Sequence, residues 1–101
     1  SDSTLDRGPH QIVVDAAHVH PPVTIRPWRD GDRMRPLGME GHKSISDILT
    51  DAKVPPPDRN RQLVVEDRTR IVWAVGHCLH HAVRVTASTN EYVIIDWQPG
   101  E

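Results

Sequence analysis

Apolar and polar positions alternate over Val23-Thr24-Ile25-Arg26 and cluster as Ile12-Val13-Val14 inside Gln11 to Asp15, a pattern that predicts two short strands joined through His18 to Pro22. The period then changes. Ile45, Ile48, Leu49 and Ala52 fall at i, i+3, i+4 and i+7, one apolar face of a helix over 44–53, with Ser44 as its N-cap and Asp47 in its first turn. Val54-Pro55-Pro56-Pro57 ends that helix, because each proline disfavours the α conformation in the residue before it, and Asp58 to Arg61 can form a short helical turn. Gln62 to Glu66 and Ile71 to Val75 are β-branched runs separated by Asp67-Arg68-Thr69-Arg70, the length of a hairpin loop. Gly76 breaks the second of them. Val83 to Thr86 and Tyr92 to Asp96 are expected as a further strand pair around the polar turn Ala87 to Asn90.

Between the second strand and the helix, Pro27 to Leu37 predicts an irregular excursion: Pro27 and Pro36 cannot donate to a ladder, and Asp30-Gly31 is a turn pair. One helix interrupts a series of strands instead of alternating with them. The expected fold is therefore α+β, a small mixed or antiparallel β-sheet domain with one main helix at about 44–53, and a doubly wound nucleotide-binding fold is disfavoured. Residues 1–10, polar and aperiodic, are expected to be a disordered arm or a cloning remnant, and 11–101 a single domain.

Composition sharpens this picture. With three Trp, one Tyr and no Phe in 101 residues, the core must be built mainly from Val, Ile and Leu. No apolar run approaches the roughly 18 residues of a membrane span, and the single cysteine, Cys78, has no internal disulfide partner; together these predict a cytoplasmic protein that meets no membrane. A chain that does not open on methionine is expected to be a piece of a longer one.

The formal net charge is −2, yet the charge is not evenly spread. Cations outnumber acids between Val23 and Arg61, most densely from Arg26 to Arg35, and both flanks are acidic. Arg26, Arg29, Arg33 and Arg35 are candidates for phosphate, which a planar guanidinium can engage through two donors. Local pairing of Arg29 and Arg33 with Asp30 and Asp32 would leave Arg26 and Arg35 for that task. Gly41-His42-Lys43, just before the helix, offers a second attraction for phosphate, and Trp28 either stacks on a base or an arginine plane or serves as a packing anchor. Trp73 reads as core or sheet surface. Asp47 and Asp51 read as solvated helix carboxylates, not an acid/base pair. His77, Cys78, His80 and His81 invite a zinc site, but neighbours in an extended strand point to opposite faces, and His18 or His20 would have to help complete it. No catalytic residue and no metal ligand is assigned to the chain.

The order of the segments Arg26-Pro27-Trp28-Arg29-Asp30-Gly31-Asp32-Arg33, Leu37-Gly38-Met39, Lys43-Ser44-Ile45-Ser46-Asp47, Asp51-Ala52-Lys53-Val54-Pro55 and Ile71-Val72-Trp73-Ala74-Val75-Gly76 resembles the C-terminal substrate-binding domain of tRNA(Ile)-lysidine synthetase, from about Val14 to about Asp96. The resemblance implies tRNA processing by an ATP-dependent ligase that attaches lysine to the wobble cytidine of an isoleucine tRNA. In that reading this domain grips the acceptor stem, with Arg26, Trp28, Arg29, Arg33, Arg35, Lys43 and Lys53 as RNA-binding residues. It also implies an N-terminal catalytic domain in the same polypeptide as partner, with ATP and Mg used there and no cofactor in this chain. The Ser-Gly-Gly-x-Asp-Ser loop of that catalytic part does not occur here. After Gly76-His77 the family commonly continues Arg-Ile-Asp; this chain has Cys78-Leu79-His80, which puts any contact made there in doubt. From the residues alone, a non-catalytic protein-interaction or scaffold domain is the alternative.

Overall fold

A computed structural model describes residues 10–97. Of the expected arm at 1–10 only His10 falls within the described residues, and its carbonyl accepts the Trp97 N–H at 2.8 Å. In chain order the elements are β1 (Gln11–Asp15), β2 (Thr24–Pro27), β3 (Arg33–Met34), β4 (Lys43–Ser44), α1 (Ile45–Asp51), α2 (Pro56–Arg59), β5 (Leu63–Glu66), β6 (Ile71–Ala74), β7 (Cys78–Leu79) and β8 (Tyr92–Asp96), with 3-10 turns at Ala16–His18 and His81–Val83. All pairings are antiparallel: a sheet ordered β2-β5-β6-β7 and the two-stranded pairs β1-β8 and β3-β4. The domain is α+β with one main helix, as its patterning implies.

The β5–β6 hairpin is the spine. Asp67 closes it by accepting the main-chain N–H groups of Thr69 and Arg70 on one carboxylate oxygen, at 2.8 and 2.9 Å, while its own N–H donates to the Arg70 carbonyl. Every residue of β6 is buried, because both faces of the sheet are covered. On one face Val64, Ile71 and Ala74 pack with Met34 and with Ile45, Ile48 and Leu49 of α1; on the other Val65, Val72, Trp73 and Val75 pack with Val14 and Val83. A bulge makes this possible. Glu66 faces Ile71 while Val65 faces Trp73, so Val72 is an extra residue, and Val72 and Trp73 turn to the same face.

The helix starts where its cap predicts, with the Asp47 N–H donating to Ser44 Oγ at 3.0 Å. It ends earlier than expected. Ala52 is the C-cap and Lys53 sits in the left-handed region at φ 59°, so the chain turns before the prolines arrive. Pro56 instead opens α2, where a first-turn residue needs no N–H donor.

Two expectations are corrected. Val83 to Thr86 is not a strand: Val83 lies in a 3-10 turn and is fully buried, whereas Val85 is 41% exposed, so the alternation has only one inward position and no ladder to join. Tyr92 to Asp96 pairs with β1 instead, closing the two ends of the domain together. The stretch 27–37 is also not wholly irregular, for Arg33–Met34 pairs with Lys43–Ser44 and carries Met34 into the core. Two-residue strands have too few positions to show a period.

Candidate nucleic-acid interface

The arginine-rich loop leaves the sheet at β2, an edge strand, and is held at three points. Trp28 donates its main-chain N–H to the Gln62 carbonyl at 3.1 Å and its indole N–H to the Arg59 carbonyl at 2.6 Å, with its ring half-buried against the core beside α1. Asp32 folds the tip: its carboxylate accepts the Arg29 N–H at 2.8 Å, its own N–H donates to the Arg29 carbonyl, and Gly31 between them takes φ 94°. The Ile45 N–H donates to the Asp32 carbonyl at 2.9 Å, which ties the loop to the start of α1.

Arg26 is the third anchor. Its Nε donates to Glu66 at 2.7 Å, Nη1 to Asp32 at 2.9 Å and to the Pro27 carbonyl at 3.0 Å, and Nη2 to Asp32 at 3.1 Å and Glu66 at 3.5 Å. A guanidinium has five N–H donors, and these bonds use all five. The bond to Asp32, then that to Glu66, raises the Arg26 pKa further. Burial works to raise the Asp32 carboxyl, but the bonds from Arg26 and from the Arg29 N–H outweigh it and hold it below the usual carboxylate range.

Asp32, one of the two local partners expected for Arg29 and Arg33, is thus taken by Arg26; no ion pair to the other, Asp30, occurs among the described residues. Arg29 and Arg33 are exposed, and their side chains make no ion pair or hydrogen bond among the described residues. Arg35 is half-buried and donates through Nε to the Met39 carbonyl. Lys43, in β4, is turned onto Asp51 of α1, whose carboxylate raises its pKa, and so faces the helix that follows it. Lys53 is exposed just beyond α1. Trp28 is capped by Arg59, whose guanidinium lies 5.8 Å from the ring centroid and bonds Thr50 Oγ1 and Ser46 Oγ, both at 3.1 Å. Arg59 and Glu66 were missed by sequence reasoning. Glu66 lies diagonally across from Arg26 in the β2–β5 ladder, a relation visible only once those strands are known to pair.

The histidine segment behaves differently. Cys78 packs against the core beside α1, and burial raises its thiol pKa. His80 is buried, accepts the Ala82 N–H on Nδ1 at 3.0 Å as cap of the 3-10 turn, and has its pKa pushed down to about 4, by burial first and then by Arg70, His42, Arg35 and His81. Among the described residues no three His, Cys, Asp or Glu side chains come together to hold a metal ion. No helix among them is long and apolar enough to cross a membrane.

Fold and site together define a small α+β domain of antiparallel sheets whose exposed chemistry is a pinned cationic loop. Its family can be stated outright: residues 23–97 match the model of the TilS substrate C-terminal domain, and the chain belongs to that family. Similar proteins include the tRNA(Ile)-lysidine synthases of Parabacteroides distasonis, 28% identical over 95% of this chain and 22% of that protein, and of Bacteroides thetaiotaomicron, 32% identical over 92% of this chain and 22% of that protein. The chain spans about a fifth of the length of these relatives. Among solved structures, a TilS C-terminal domain is 34% identical and superposes with a TM-score of 0.73, covering 86% of this chain and 67% of the other. An N-terminal fragment of the phenylalanyl-tRNA synthetase β-subunit from Pyrococcus horikoshii, 17% identical, shares the fold with a TM-score of 0.70 over 85% of this chain and 27% of the other.

Proposed function

We propose that this domain binds isoleucine tRNA through its acceptor stem and positions it, in the cytoplasm, for ATP-dependent ligation of lysine to the wobble cytidine by a catalytic domain of the same polypeptide. The observation that carries the reading is the family match over a loop whose Arg29 and Arg33 are exposed and, among the described residues, unpaired, while Arg26 fixes its shape. Exposed guanidinium groups on an anchored tip suit a helical phosphate lattice, because the pinned loop backbone has little conformational freedom left to lose on binding. Arg35 and Lys53 extend the cationic surface, and Arg26, Trp28 and Lys43 support it from behind. In this reading ATP and magnesium act at the catalytic domain, whose Ser-Gly-Gly-x-Asp-Ser loop does not occur in this sequence.

A salt titration of binding to an isoleucine acceptor-stem minihelix, beside the anticodon hairpin, tests this. Affinity for the minihelix should fall steeply with salt, and an Arg29→Ala, Arg33→Ala double variant should reduce the slope of log affinity against log salt by about two. Equal affinity for the two RNAs, or a slope unchanged in the variant, would remove the acceptor-stem assignment.

A further inference from the structure

The two most exposed large apolar side chains among the described residues stand on one strand, two positions apart. Tyr92 is 58% and Ile94 55% exposed, and both belong to β8, whose Val93 and Ile95 pack against the core between them. Alternation therefore puts Tyr92 and Ile94 on the outward face of the β1–β8 ribbon. Antiparallel pairing sets Val13 of β1 directly opposite Ile94, and Val13 is left out of the core that takes Ile12 and Val14. Val13, Tyr92 and Ile94 form one apolar patch on a two-stranded sheet whose other face is already packed.

RNA is a poor occupant for this patch. The segments that build and flank the ribbon, 11–25 and 85–97, contain no Lys or Arg and carry Asp15, Glu91 and Asp96, so they offer phosphate repulsion and no attraction. The ribbon also covers the sheet face opposite α1, the helix to whose start the arginine loop is tied. A freely diffusing partner, or a second copy of the chain, fits no better. Three side chains can bury on the order of 300 Å², well short of the roughly 800 Å² that each side of a stable complex contributes. So small a patch needs a partner held nearby by covalent linkage, which supplies an effective concentration of roughly millimolar order. The relatives possess such a partner: this domain spans about a fifth of their length and is C-terminal in its family, so most of their polypeptide precedes the strand that corresponds to β1. Because β1 is also one side of the patch, a neighbour tethered there starts within reach of it.

We propose that Val13, Tyr92 and Ile94, on the outward face of the β1–β8 ribbon, dock this domain onto an apolar surface of the domain that precedes it in the same polypeptide, leaving the arginine loop free for RNA. That such a domain precedes it rests on the function proposed above; the exposed apolar face does not.

Hydroxyl-radical footprinting of the full polypeptide, set beside the 101-residue chain alone, tests this. Oxidation of Tyr92 and Ile94 should fall by roughly threefold or more in the full polypeptide, while that of Met39, which lines a cleft beside Ile48 and Asp51 of α1, should not. Ile94→Gln in the full polypeptide should return Tyr92 to at least half of its oxidation in the isolated chain. In the isolated chain the same variant should leave the thermal midpoint and the minihelix affinity unchanged. Equal oxidation of Tyr92 in the two parent proteins, or a fall shared by Met39, would overturn the docking face. So would Tyr92 protection that grows with the concentration of the isolated chain, which would make the occupant a second copy, or a loss of minihelix affinity in a folded Ile94→Gln chain, which would place the face in the RNA footprint. Protection of Tyr92 in the full polypeptide together with an isolated chain that binds no minihelix would refute the RNA reading and leave the docking face standing.

Discussion

Arg26 binds two carboxylates and a carbonyl at the root of the loop, so its removal would strand Asp32 and Glu66 together in a partly enclosed place. Arg26→Ala should lower stability by about 2 kcal/mol, in line with hydrogen bonds to charged partners, and Arg26→Lys should recover only part of it because an ammonium cannot reproduce the fork. Urea unfolding of the three proteins checks this; a loss under about 0.5 kcal/mol in Arg26→Ala would show that the cluster adds nothing net. His80 gives a pH signature at the same scale. Its folded pKa of about 4 lies below the unfolded value of roughly 6.5, so on acidification the unfolded chain takes up the proton first. The stability that depends on neutral His80 is complete above about pH 6.5 and declines as pH falls toward 4. His80→Asn keeps an acceptor for the cap and removes the titration, so its urea midpoint should drop less between pH 7.5 and 5 than that of the parent. Equal drops would assign the acid sensitivity elsewhere. Asp15, Asp32 and Asp67, all held below their usual range, contribute stability that is present above about pH 4 and lost only as pH falls further.

At the scale of elements, α1 is short and leans on its ends. Ser44→Ala should cost about 1 kcal/mol through the lost bond to the Asp47 N–H. Lys53→Gly should do the reverse, stabilising by roughly 0.5–1 kcal/mol, because a side chain at φ 59° is strained and glycine is not. Thermal unfolding distinguishes the two signs, and a destabilised Lys53→Gly would mean that the lysine side chain is held by something its exposure does not suggest. Periodicity reveals α1, the β5–β6 hairpin, β1, β2 and β8, each with at least four positions. The two-residue strands β3, β4 and β7 were illegible for lack of a period, and Val83 to Thr86 misled because one buried valine beside polar neighbours spells an alternation without the second inward residue a strand requires.

The whole molecule stands on one sheet covered twice. Trp73 is the largest of its fully buried side chains and belongs to the cluster closed by β1 and β8, so Trp73→Ala should cost about 3–5 kcal/mol, most of the stability of a domain this small. Circular dichroism of the purified variant should show a largely unfolded chain; a cooperative transition close to that of the parent would contradict the packing. Charge is likewise organised globally. A net charge of −2 coexists with cationic surface because the acids near the loop root, Asp32 and Glu66, are consumed by Arg26.

Local spacing determined the helix and its cap, the hairpin and its Asp67 turn, the outer strands, and the family spelling of the arginine loop, since each depends on residues within a few positions of one another. Tertiary structure decided what spacing could not. It paired β8 with β1, across some eighty residues. It chose Arg26 and not its loop neighbours to neutralise Asp32, because Glu66 arrives from another strand to complete the guanidinium's shell. Charges interact through distance in space, and only the folded chain sets that distance.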